Sequence, residues 1–306
     1  MTQIAFMVTK AILELLREEV VLFDGAMGTM LIERGLKAGE CPEAWNLLHP
    51  PIIEDIHRAY YAAGSQVVLT NTFGANRLKL SAYGMAGRLE EINSKAVELA
   101  LAARPAEERE CYVAGDIGPT GKFLKPLGPH EFLEFKEAFA EQARCLAQAG
   151  VDFICIETMF DPGEARAALQ GALEATSLPI IITMTFDKTP RGFFTSMGLG
   201  AAEAAKLLEE HGAGAIGANC GTGPAEMLEL IKILRKVTQL PLIAKPNAGK
   251  PIIKQGKAFY TEDTQSFARY IQELVPAGVN GVGGCCGTDP SYIRAIAKLL
   301  HKECGA

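Results

Sequence analysis

Eight short runs of aliphatic and β-branched residues recur along the chain, at 20–23, 67–70, 111–114, 153–156, 180–184, 215–218, 242–244 and 279–282. Each ends in a glycine or polar break. Between them, apolar residues return at helical spacing over 52–63, 91–103, 131–149, 163–175, 201–211, 225–237, 264–275 and 291–301. Strands that are apolar without alternation fit a parallel sheet buried on both faces. Eight strand-then-helix units predict an α/β fold, a single (β/α)8 TIM-type barrel forming one domain over residues 1–306. A further helix over 10–19 precedes the first strand and is placed to close the barrel bottom.

An open doubly wound sheet competes with this reading. It offers no reason for a polar residue at every strand end, yet Asp24, Asn71, Asp116, Glu157, Thr185, Cys220, Asn247 and Cys285 occupy those positions in turn. In a barrel all eight ends meet at one face, where active sites form. Two long segments, 118–129 and 188–200, follow strands three and five and are expected to border that face.

Composition narrows the function classes. The 306 residues are 48% hydrophobic and 22% charged, which suits a globular enzyme, and a net charge of −6 offers no basic surface for nucleic acid. No apolar run reaches membrane-spanning length, and residues 1–10 lack the features of a secretory signal, so a cytoplasmic setting is expected. A chain of this size does not need its eight cysteines for disulfides. Cys145 and Cys155 sit in apolar helix and strand patterns and read as buried thiols. Cys41, Cys111 and Cys304 lack glycine-rich settings and metal-like spacing.

Cys220, Cys285 and Cys286 differ. Cys220 lies in Gly217-Ala218-Asn219-Cys220-Gly221, and the pair lies in Gly283-Gly284-Cys285-Cys286-Gly287-Thr288. Adjacent strand residues face opposite ways, so two neighbouring cysteines share a ligand only if the backbone leaves strand geometry, which the glycines allow. Three thiolates at the ends of strands six and eight predict a zinc site with one open position, the catalytic kind. A strained vicinal disulfide is the redox alternative. An electron-rich tri-thiolate metal suits a substrate thiol, so the implied chemistry is alkyl transfer to sulfur.

Asp24 and Glu157 end strands one and four and together suit an ammonium group. The turn Gly25, Ala26, Met27 presents backbone N–H groups to a carboxylate. Asn71 and Asn219 read equally as site residues or as loop braces, as does Asp116. Asn247 is placed to give an oxygen to the metal or brace the site. His57 and His211 read as packing or surface residues.

The segments 24–29, 70–73, 157–158, 219–220, 246–249 and 283–288 resemble, in order, the homocysteine S-methyltransferase family, over nearly the whole chain. The resemblance implies a zinc-dependent barrel in which homocysteine thiolate takes a methyl group to give methionine, with catalytic zinc on Cys220, Cys285 and Cys286. It also implies that Asp24, Glu157 and the turn at Gly25–Met27 bind the amino acid, and that Asn247 fills the fourth metal position before substrate arrives. Residues 115–121 and 126–128 are most similar to the homocysteine module of bacterial cobalamin-dependent methionine synthase. That likeness implies methylcobalamin as donor, on a separate corrinoid protein or on fused cobalamin and folate modules. S-methylmethionine is the alternative donor. Betaine is disfavoured by the scarcity of aromatic residues, and a non-catalytic zinc-bound module binding a thiol or a partner is the non-enzymatic alternative.

Overall fold

The computed structural model describes residues 10–106, 110–254 and 257–301. Its central sheet has eight parallel strands: β1 (Val21–Leu22), β2 (Val67–Leu69), β3 (Tyr112–Ile117), β4 (Phe153–Met159), β5 (Ile180–Met184), β6 (Ala215–Asn219), β7 (Leu242–Lys245) and β8 (Gly281–Val282). Neighbours in sequence are neighbours in the sheet, β8 pairs with β1, and a parallel bridge from Phe23 to Val67 closes the ring. The predicted (β/α)8 barrel is the observed fold. Its eight outer helices overlap the predicted spans, from Pro50–Ala62 to Pro290–Leu299.

Strand residues alternate between two cores because successive side chains face opposite ways. Leu22, Val68, Val113, Ile154, Ile182 and Ile216 join the shell between sheet and helices. Val21, Val67, Tyr112, Phe153, Ile181, Ala215 and Ile243 fill the barrel interior. Both faces being apolar is why no alternation is visible in sequence. The helix Ile12–Glu18 adds Ile12, Leu15 and Leu16 to the interior cluster and so plugs the lower end, as predicted. Asn280 Nδ2 donates to Leu16 C=O at 2.8 Å and fastens the plug.

Towards the upper end the interior turns polar. Two residues beyond Ala114, Cys155, Ile181, Gly217 and Ile243 come Asp116, Glu157, Thr183, Asn219 and Lys245, all buried. Segments read as loops contain further structure there. The segment predicted as a loop over 188–200 takes part in the hairpin Asp187–Thr189 with Gly192–Phe194, and a second hairpin, Ile252–Lys254 with Lys257–Phe259, follows β7. Short helices Met27–Glu33, Trp45–Leu48 and Arg77–Ser81 also escape the periodicity analysis, each spanning two turns or fewer. No helix among the described residues is long and apolar enough to cross a membrane.

His57 is fully buried in the helix Pro50–Ala62, with neither ring nitrogen partnered, which makes it a packing residue as expected. Burial pushes its imidazole down from 6.5 to about 4. The unfolded chain therefore takes up a proton first as the pH falls. The native state keeps its full advantage above pH 6.5 and loses it progressively towards pH 4. Leucine at position 57 is expected to flatten this acid loss, by up to about 3 kcal/mol. Urea midpoints across that range test it, and parallel acid limbs in variant and parent would refute it.

Candidate metal centre

Three elements bring the cysteines together. Cys220 follows β6 directly and holds a left-handed backbone, with φ of 59°. Non-glycine residues avoid that region, so its use here is a strain tied to where the sulfur must point. Thr158, next to Glu157 near the end of β4, shares it with φ of 62°. Asn219 ties the two together. Its Oδ1 accepts from Thr158 N–H at 2.8 Å and Thr183 Oγ1 at 2.7 Å, and its Nδ2 donates to Thr158 Oγ1 at 2.7 Å. The same amide reaches Cys285 Sγ at 3.8 Å. Asn219 is thus a brace joining β4, β5, β6 and the cysteine turn.

Beyond β8 the chain leaves strand geometry at once. Gly284 N–H donates to Asp24 C=O, and Cys285 N–H donates to Pro246 C=O at 2.8 Å. Thr288 closes the turn through its N–H and hydroxyl on Cys285 C=O. Gly284 is required here, because a Cβ would lie 2.2 Å from Thr288 Oγ1. Gly287 has φ of +83°, and its missing Cβ makes room for the Tyr260 ring. The turn points both sulfurs the same way.

The sulfurs of Cys220, Cys285 and Cys286 lie within 4.8 Å of one another, and Cys220 to Cys286 is 4.0 Å. Tetrahedral zinc with bonds of about 2.3 Å would set its sulfurs about 3.8 Å apart. The donor set therefore fits zinc. Asn247 adds to the fit, since its Oδ1 is buried without a hydrogen-bond partner and its N–H donates to Thr222 C=O at 3.0 Å, two residues beyond Cys220. Hydrogen bonds from Cys285 and Cys286 pull the Cys220 thiol down, and Cys285 is pushed up in return. The described cysteines are all free. Cys155 is sealed in the barrel and Cys41 bonds to Glu43, both apart from the cluster, while Cys304 lies outside the described residues.

Beside the sulfurs sits a buried charge cluster. Lys245 forms an ion pair with Glu157 Oε2, their side chains 3% and 12% exposed. Asp24 Oδ2 accepts from Leu69 N–H at 2.8 Å. Burial, opposed by Lys245, pushes Asp24 up to about 7, and burial with the Glu157 charge pushes Asp116 well up. Burial pulls Lys245 down, but Glu157, Cys155, Asp24 and Asp116 reverse this and hold its ammonium charged. Three carboxylates thus share one lysine. Sequence reading missed Lys245, although a lysine ending the apolar run 242–244 is a signal, because a buried ammonium needs an acid across the barrel.

The other predicted residues divide. Gly25 and Met27 flank Ala26 at the mouth, where Ala26 N–H is already spent on Thr288 C=O at 3.3 Å. Asn71 Nδ2 donates to Pro42 C=O at 2.9 Å and to Asn46 Oδ1 at 3.0 Å, which ties it to the covering segment 42–46. The long segment 118–129 borders a 360 Å³ groove with His130, Asp161, Arg166 and Met197, separate from the sulfur cluster.

Residues 21–300 match the family model for homocysteine S-methyltransferase. Methionine synthase of Mycobacterium tuberculosis (strain ATCC 25618 / H37Rv) is 36% identical over 311 residues, covering 94% of this chain and 25% of that protein. Methionine synthase of Mycobacterium leprae (strain TN) is 35% identical over 313 residues, covering 95% and 25%. The chain spans about a quarter of the length of these relatives. Homocysteine methyltransferase MmuM from Escherichia coli, in its metallated form, shares the fold with a TM-score of 0.78 at 24% identity, covering 95% of this chain and 100% of that one. The family match runs through all eight barrel strands and both cysteine sites, and the chain belongs to the homocysteine S-methyltransferase family.

Proposed function

We propose that this chain is a single homocysteine-binding barrel domain that uses zinc to move a methyl group onto the homocysteine thiol, forming methionine. The convergence of three sulfurs within 4.8 Å at the mouth carries this reading. Cys220, Cys285 and Cys286 are the ligands, with Asn247 Oδ1 as the fourth donor before substrate arrives. Zinc bound there supplies the Lewis acidity that lowers a thiol pKa while leaving the sulfur nucleophilic. Glu157 and Asp24 take the substrate ammonium, and the turn at Gly25–Met27 takes its carboxylate, which aims the thiol at the sulfur cluster. Asn219 keeps Cys285 and the β4 end in register. The substrate sulfur forms its new bond to the methyl carbon as the donor's bond breaks, and the electron pair stays with the donor.

The donor in this proposal is methylcobalamin on a separate corrinoid protein or domain. The likeness of residues 115–121 and 126–128 to the homocysteine module of cobalamin-dependent methionine synthase supports it, together with 36% identity to a methionine synthase. Supplying homocysteine with methylcobalamin or with S-methylmethionine and quantifying methionine tests the assignment. Methionine from methylcobalamin is expected; methionine from S-methylmethionine alone would overturn the donor, and none from any donor would overturn the enzyme.

A further inference from the structure

A primary ammonium has three N–H donors, and the reading above gives it two carboxylates. The barrel supplies a third. Asp116 lies on β3 beside β4, its backbone paired with Cys155, and Glu157 follows two residues on along the same face. Its backbone is occupied on both sides. Asp116 N–H donates to Thr70 Oγ1 at 3.0 Å, and its C=O accepts from Thr72 Oγ1 at 2.7 Å. The side chain is left over: the residue is 6% exposed, and Oδ1 is buried with no hydrogen-bond partner.

An orphaned buried carboxylate oxygen is costly, and beside a binding site it calls for a partner that arrives with the ligand. The neighbouring acids are each half committed. Glu157 gives Oε2 to Lys245, and Asp24 gives Oδ2 to Leu69 N–H. One oxygen on each of the three acids thus remains beyond these bonds, and Lys245 forms its ion pair with Glu157.

We infer that Asp116 is a third binding residue for the substrate's amino group, so the site selects thiols bearing a primary ammonium. This rests on the proposed binding of homocysteine at this mouth. Asp116 accepts one N–H of the ammonium, Glu157 and Asp24 accept the others, and the acids around it favour the added positive charge. An acceptor set of this kind excludes N-acylated thiols, which carry no ammonium, and disfavours thiols that lack the amine.

Calorimetry on the zinc-loaded protein tests this with L-homocysteine and 4-sulfanylbutanoate, which keeps the thiol and carboxylate but has no amine. The D116N variant is expected to weaken homocysteine binding about tenfold or more, the usual scale for one charge-assisted hydrogen bond. Binding of 4-sulfanylbutanoate should stay within about twofold and doubles as the folding control. The D116S variant should behave alike. Equal weakening of both ligands, or no weakening of either, would overturn the role of Asp116. Failure of the parent protein to bind homocysteine would instead overturn the underlying reading, and Asp116 with it.

Discussion

Cys220→Ser is expected to bring bound zinc from about one per chain to below about a tenth, and to cut methyl transfer to homocysteine at least about a thousandfold. A serine hydroxyl is a poor zinc ligand at neutral pH, and the two remaining sulfurs sit on one turn after β8, with no third cysteine in their cluster among the described residues. The fold should survive. Cys220 holds a left-handed backbone at φ of 59°, so Cys220→Gly removes the sulfur and relieves strain together. The metal-free glycine variant is expected to match the metal-free parent in stability or exceed it by about 1 kcal/mol. Elemental analysis, methionine formation and urea unfolding of the metal-free forms separate these effects. Full zinc occupancy in the serine variant would remove Cys220 from the ligand set.

Lys245→Met should produce the largest loss of stability. The Lys245 side chain is 3% exposed and pairs with Glu157, while the charges of Asp24 and Asp116 also act on it. Removing it leaves the buried Glu157 carboxylate without its cation, and breaking a buried pair this way costs about 3–5 kcal/mol. Much of that is the cost of an uncompensated buried charge rather than the pair's net worth. The double variant Lys245→Met with Glu157→Gln is therefore expected to recover part of the loss. Thermal and urea unfolding of both singles and the double gives the coupling. A loss under about 1 kcal/mol in Lys245→Met would show that the acids are neutralised by other means.

Particular positions show how far the fold and site were legible. The eight strands, the bottom helix and the outer helices follow from runs of apolar residues at fixed periods, because burial on one or both faces imposes those periods locally. The hairpin after β7 and the helix Met27–Glu33 leave no such trace, each being too short to repeat a period. At the site, the cysteine pair announced itself through its flanking glycines, which answer to a local backbone demand. Asn219 was visible as a polar strand end, but its work as a brace was not, since Thr158 and Cys285 lie 61 and 66 residues away.

The chain alone establishes the order of eight βα units and a polar layer at their ends, since both follow from residue type and spacing within short windows. Pairings across the barrel come from closure. Lys245 reaches Glu157 across 88 residues, and Cys220 meets Cys286 across 66. Ring closure sets which strand faces which and how deep each polar end lies, so it alone turns a list of polar ends into three clustered sulfurs beside three carboxylates and one lysine.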